Sequence, residues 1–179
     1  MVLYECKGKR PVLGKGTWIA PTAAVIGEVT IGKECYIGFG AVIRADFGPI
    51  TIGDGSIVED NAVIHTGART TIGNQVIIAH QAMVHDARIG DRVLVGMQAL
   101  VGDDVVIQND VWIAEQAHVR KGTVIESGRI VGGRPAVSIG KVTQARSQNF
   151  SHGLQAYSTL RGNYQAIQKP EWGNSGGSK

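Results

Sequence analysis

Aliphatic residues recur at every sixth position along most of this chain, and that period restricts its fold more than any other feature. The last run is uninterrupted: Ile89, Val95, Val101, Ile107, Ile113, Val119, Ile125, Val131 and Val137. Earlier runs go from Ile19 to Ile43, then through Ile52, Val58 and Ile64, then through Ile72, Ile78 and Val84. Four residues beyond most of them stands a small or β-branched residue, such as Ala23, Cys35, Ala62 or Val93. A spacing of six fits neither a 3.6-residue helix nor an alternating strand. It fits short flat strands joined by sharp corners, each coil covering the apolar face of the next. Cys35 then belongs to the core.

This is the hexapeptide-repeat pattern of left-handed parallel β-helices, so the fold class expected is an all-β solenoid, spanning residues 1–140. Twenty-five glycines agree with tight, regular corners. Past Val137 the period changes: Phe150, Leu154, Tyr157, Leu160, Tyr164 and Ile167 follow at three- and four-residue steps. That spacing predicts an α-helix over 141–169, laid along the β-helix and weakened by Gly153 and Gly162, with residues 170–179 a flexible tail by composition.

Charge and composition exclude several classes. The net charge is +3 with the basic residues dispersed, so no nucleic-acid partner is indicated. No apolar run approaches the roughly 18 to 20 residues a membrane-spanning helix requires. The first ten residues lack a signal-peptide core, and two cysteines without metal-type spacing suggest reduced thiols, so a cytoplasmic location is expected.

Three of the five histidines, His65, His80 and His85, lie within Asn61 to Asp86, where the period also breaks. Extra residues fall in RADFGPI and in HTGART, and one is missing between Val84 and Ile89, which predicts loops or tightened corners. Counting hexads places Arg44, His65 and His85 in one outward column, one coil apart at the usual strand spacing of about 4.8 Å. Two imidazoles so spaced can reach one ion. The same count puts Asp60, His80 and Met97 in a second column on a different face. One chain therefore cannot easily close a three-histidine site, but a threefold assembly can, by packing one face against the other. Arg44, Asp46 and Asp60 stand beside these histidines; His118 and His152 lack such company and read as structural or surface residues.

The segments RADFGPITIGDGSIVEDNAVIH, IIAHQAMVH and IGDRVLVGMQALV, with the terminal GGRPA, resemble the γ-class carbonic anhydrase family of hexapeptide-repeat proteins. The resemblance implies a homotrimer with interfacial metal sites, each built from His65 and His85 of one subunit and His80 of the next. It implies that Arg44, Asp46 and Asp60 hold the interface and orient the site, Arg44 pairing with Asp60 across the subunit boundary. Three neutral imidazoles leave a position open for water, as in catalytic zinc sites, and the ion brings that water's pKa to about 7. The activity implied is hydration of carbon dioxide to bicarbonate. Zinc is the cofactor expected, with iron or cobalt as alternatives that imidazoles also suit. Where the family carries Asn and Gln, this chain has Ile57 and Glu59; Glu59 can orient a hydroxide as an acceptor but cannot donate as an amide does. The acidic loop residues that shuttle protons are replaced by Phe47 and by Thr66-Gly67-Ala68. Low activity is expected.

Three other functions fit the same residues. An acyl-CoA thioester hydrolase would use the same metal site, as the resemblance to members associated with carnitine and phenylacetate catabolism suggests. A trimeric scaffold would keep its metal for interface stability. A CoA-dependent acyltransferase would share the β-helix but place its histidine on an inserted loop. Tyr164 is a candidate for lining the pocket, though packing of the helix on the β-helix is the stronger expectation for it.

Overall fold

The computed structural model describes residues 2–167; the expected tail, 170–179, lies outside them. The chain forms a parallel β-solenoid of about seven turns with one helix at its C-terminal end. Each coil contributes a short strand to each of three faces. The first face stacks Ala24–Ile31, Val42–Ile52, Val63–His65, Met83–His85, Leu100–Val101 and His118–Val119. The second continues from the same long strands through Thr70–Ile72, Arg88–Ile89, Val106–Ile107 and Val124–Ile125. The third runs from Trp18–Ile19 through Tyr36–Ile37, Ile57–Val58, Ile77–Ile78, Leu94–Val95 and Trp112–Ile113 to Arg129–Gly132.

The six-residue series points inward. Ile43, Ile64, Val84 and Val101 are completely buried, as are their third-face counterparts Ile37, Val58, Ile78 and Val95. Each such side chain stabilises the fold by about 1.5–3 kcal/mol. The exception is Val137, the last member of the series. It is exposed and belongs to Val137–Lys141, which returns antiparallel along Arg129–Gly132. The solenoid therefore ends one hexad earlier than the period suggests.

Some glycines take the tight corners that composition implied, among them Gly16, Gly40, Gly55 and Gly122 at positive φ, but others serve a second purpose. Many of the left-handed corners are taken by non-glycine residues, including Asn61, Gln81, Gln98 and Gln116 at φ 57 to 59°. The glycine after an inward residue is needed for close approach instead. A Cβ on Gly53 would lie 2.6 Å from the carbonyl carbon of Gly73 in the next coil. Beside these glycines, side-chain carbonyls of Asn74, Asp91 and Asn109 accept the backbone N–H of Asp54, Asn74 and Asp91. Corner amides that no strand satisfies are thus paired from the coil above.

The breaks in the period are not all loops. RADFGPI lies within one continuous strand, Val42–Ile52, which carries the chain from the first face to the second. HTGART does turn, and it packs closely on the preceding coil: a Cβ on Gly48 would collide with the Ala68 carbonyl oxygen.

The helix spans Gln144–Ile167, starting three residues later than the sequence reading placed it, and runs unbroken through Gly153 and Gly162. The hydroxyl of Thr143 caps it by accepting from Arg146 N at 3.3 Å. It covers the third face. Tyr164 stacks on Trp18 at 4.7 Å and Tyr157 meets Tyr36 edge-on at 5.0 Å, contacts that bury large aromatic area. Tyr164 therefore packs the helix on the third face, as the stronger expectation for it had it. The first face is left uncovered by the helix.

Candidate metal centre

Strand register forms the first column. Arg44 pairs with His65, and His65 pairs with His85, on adjacent parallel strands of the first face. Because the buried neighbours Ile43, Ile64 and Val84 point in, these three point out. The two rings lie 5.0 Å apart between centroids, with His65 Nδ1 3.1 Å from His85 Nε2.

The remaining nitrogen of each ring meets a carboxylate. His65 Nε2 lies 2.9 Å from Asp46 Oδ1, and Asp46 Oδ2 accepts from Arg44 Nη1 at 2.5 Å. His85 Nδ1 lies 2.6 Å from Asp103 Oδ1. Arg44 is thus engaged by Asp46 within the chain, while Asp60 stands on the second column. Burial works to raise the Asp46 carboxyl, but the hydrogen bonds from His65 and the backbone, with Arg44, outweigh it and hold it below the usual range.

Asp86 anchors the adjacent turn. Its Oδ1 accepts from Thr66 Oγ1 at 2.6 Å and from the backbone N–H of Gly67, Ala68 and Arg69 at 2.8, 2.9 and 3.3 Å. Burial opposes ionisation here too, but these donors and the nearby His85 leave the carboxyl below its ordinary value. His85, Asp86 and Asp103 also bring one donor atom each within 4.8 Å of one another. Four donors already claim Asp86 Oδ1, so this trio serves better as a support for His85 than as a separate cation cage.

His80 stands on the second column, as register requires: its carbonyl accepts from Gln98 N, just as that of Asp60 accepts from Gln81 N. It does not join His65 and His85 within the chain. Its partner is Glu59, a buried carboxylate whose Oε2 accepts from His80 N at 3.1 Å and lies 3.1 Å from His80 Nε2. Asp60 Oδ1 accepts from Phe39 N at 2.8 Å, which ties its corner to the previous coil, and Oδ2 lies 3.9 Å from His80 Nδ1. Ile57 is buried in the Tyr36–Ile57–Ile77 column beneath the helix. Phe47, largely exposed, sets its ring edge-on to His65 at 6.0 Å, with Lys7 Nζ 5.4 Å from the ring centroid.

Two supporting residues escaped the sequence reading. Asp103 lies two residues after Val101, which stacks on Val84, so the register count extended by one coil puts Gly102 above His85 and Asp103 above Asp86, next to it. Tyr157 offers no such signal. Its phenol is pushed up first by burial and then by the Glu59 carboxylate, with which it hydrogen-bonds.

Residues 10–45 match the family described as bacterial transferase hexapeptide (six repeats), and residues 28–68 match the hexapeptide repeat of succinyl-transferase. The crystal structure of a hexapeptide transferase family protein from Anaplasma phagocytophilum is 32% identical, with a TM-score of 0.88, covering 91% of this chain and 98% of that one. Gamma carbonic anhydrase 1, mitochondrial, of Arabidopsis thaliana is 34% identical over 160 residues, which is 85% of this chain and 58% of that protein. The chain belongs to the hexapeptide-repeat family of transferases and γ-class carbonic anhydrases. Another carbonic anhydrase, from Methanosarcina thermophila, is 48% identical over 56 residues, 31% of this chain and 23% of its own length. The chain thus spans less than two thirds of these curated family relatives. Their activities are described for them.

Proposed function

We propose that this protein is a γ-carbonic-anhydrase-type metalloenzyme that hydrates carbon dioxide. Its ion would be held by His65 and His85 of one chain and His80 of a second copy. The observation that carries the reading is the meeting of His65 Nδ1 and His85 Nε2 at 3.1 Å while each ring's other nitrogen faces a carboxylate. Ionised Asp46 and Asp103 draw the ring protons to His65 Nε2 and His85 Nδ1. Neutral rings then aim two lone pairs at each other, an arrangement a shared cation relieves. Two nitrogens on one tetrahedral zinc at its usual bond length are about 3.3 Å apart, close to the spacing found.

His80 completes the donor set from the other side of the assembly. It sits on a different surface from the pair, so the contact that unites them is heterologous and closes as a ring. The first face, which the helix leaves bare, supports this. Val42, Val63, Met83 and Leu100 form an outward apolar column beside the histidines, and Met97 is exposed beside His80.

A bound divalent ion supplies a water acidified to near neutrality; zinc suits the imidazoles, and iron or cobalt could serve. Asp46, Asp103 and Glu59 fix the ring orientations. Glu59, acceptor only, can take a hydrogen bond from a reacting water, while buried Ile57 offers it nothing. Phe47 narrows the approach to His65 with an apolar wall suited to carbon dioxide. The two unpaired cysteines, Cys6 and Cys35, support a reducing compartment such as the cytoplasm.

The test is stopped-flow carbon dioxide hydration by protein loaded anaerobically with zinc, cobalt or ferrous iron, with His80→Ala as the control. Turnover that the variant loses supports the reading. One ion bound per chain without turnover for any metal overturns it, and acyl-CoA thioesters become the next substrates to try.

A further inference from the structure

We propose that Asp103 is a positioning residue that selects the His85 tautomer, leaving Nε2 unprotonated and directed at His65. The proposal deepens the metal-centre reading and rests on it for the role of His85 as a ligand. It rests on geometry for the role of Asp103.

Asp103 Oδ1 lies 2.6 Å from His85 Nδ1, the shortest of the histidine–carboxylate contacts in the cluster. A carboxylate can only accept, so the contact demands a proton on Nδ1. His85 Nε2 then carries a lone pair, 3.1 Å from His65 Nδ1. With the opposite tautomer, Nε2 would carry hydrogen and be closed to an ion. Partners of this kind orient metal-binding imidazoles and raise their basicity, and losing one typically costs about 10–100-fold in metal affinity.

Asp86 cannot substitute. Its Oδ2 is 3.7 Å from His85 Nδ1, and its Oδ1 is committed to the Thr66–Arg69 turn. The Asp103 carboxylate has no other hydrogen-bond partner among the described residues. Asp104, its neighbour, provides a matched comparison: it carries the same charge but pairs with Lys121 at 3.4 Å.

The substitution Asp103→Asn keeps the shape but exchanges a pure acceptor for an amide that can donate to Nδ1, permitting the closed tautomer. Asp104→Asn removes the same charge without touching His85. Long-range proton–nitrogen NMR on metal-free, 15N-histidine-labelled protein reads the tautomer directly. Zinc affinity is then measured by competition with a chromophoric chelator. The expected result is an Nδ1-protonated His85 in the wild type and in Asp104→Asn. In Asp103→Asn, Nε2–H should be gained and zinc affinity should fall 10–100-fold. An unchanged tautomer in Asp103→Asn overturns the proposal, as does an equal affinity loss in both variants, which would make the effect one of charge alone. Failure of the wild type and of His65→Ala to differ in zinc binding would sink the metal-centre reading instead, and the metal-free spectra would still decide what Asp103 does.

Discussion

His65 Nδ1 stands 3.1 Å from His85 Nε2 because Ile64 and Val84, each fully buried, lock the two strands in register one coil apart. Neither ring could shift without moving a core residue or leaving its carboxylate. The pair is therefore built before any ion arrives, and the entropy cost of assembling two ligands falls largely on folding.

On the proposed reading of the histidines, removing the ion should loosen the assembly. A ligand present at about 100 times its dissociation constant stabilises the state that binds it by about 2.7 kcal/mol. We expect chelation to lower the melting temperature and to shift the sedimentation coefficient towards the monomer. His80→Ala should mimic chelation, and a chelator should have no further effect on that variant.

Asp86→Ala should destabilise the fold by roughly 2–4 kcal/mol, since it strands four donors, among them the buried hydroxyl of Thr66. The pH dependence follows from the depressed carboxyl. Its contribution is present above the ordinary aspartate value and is lost as pH falls through the lower value of the folded state. Urea unfolding from pH 6 to pH 3 should show the variant losing less stability than the wild type across that range.

Cys35 and Cys6 should differ in reactivity. Burial pushes the Cys35 thiol up, against hydrogen bonds that lower it, so less thiolate forms near pH 8. Iodoacetamide should add one label to the folded protein, at half-exposed Cys6, and two in urea. Two labels on the folded chain would contradict this packing.

Gly53→Ala should cost more than an ordinary surface change, because its Cβ would press on the Gly73 backbone at 2.6 Å. Overpacking of this kind costs about 1–3 kcal/mol. Chemical denaturation gives the number; a loss under about 0.5 kcal/mol would show that the coils can separate.

The hexad period made the inward column and the register legible, because in a solenoid a residue's height and face follow from counting. Arg44, His65 and His85 could be stacked on paper for that reason. The count failed where the backbone left the period. Val137 keeps the spacing but lies on a strand that turns back, and RADFGPI looks like a loop yet lies within one strand, paired on both sides at its ends, Arg44 and Ile50. The count brings Asp103 only to the column of Asp86, one residue from His85; the hydrogen bond of Tyr157 to Glu59 was beyond it altogether, because it joins a helix to a coil about 98 residues away in sequence with no shared repeat.

By itself the sequence determined a stacked β-structure with its histidines on two faces, since periodicity alone assigns each side chain a direction. Only the tertiary structure decided which nitrogen of each imidazole is engaged and by which acid. Those contacts depend on a few ångströms of side-chain reach between coils, between a corner and its neighbour, and between the helix and the third face. No spacing along the chain encodes such distances.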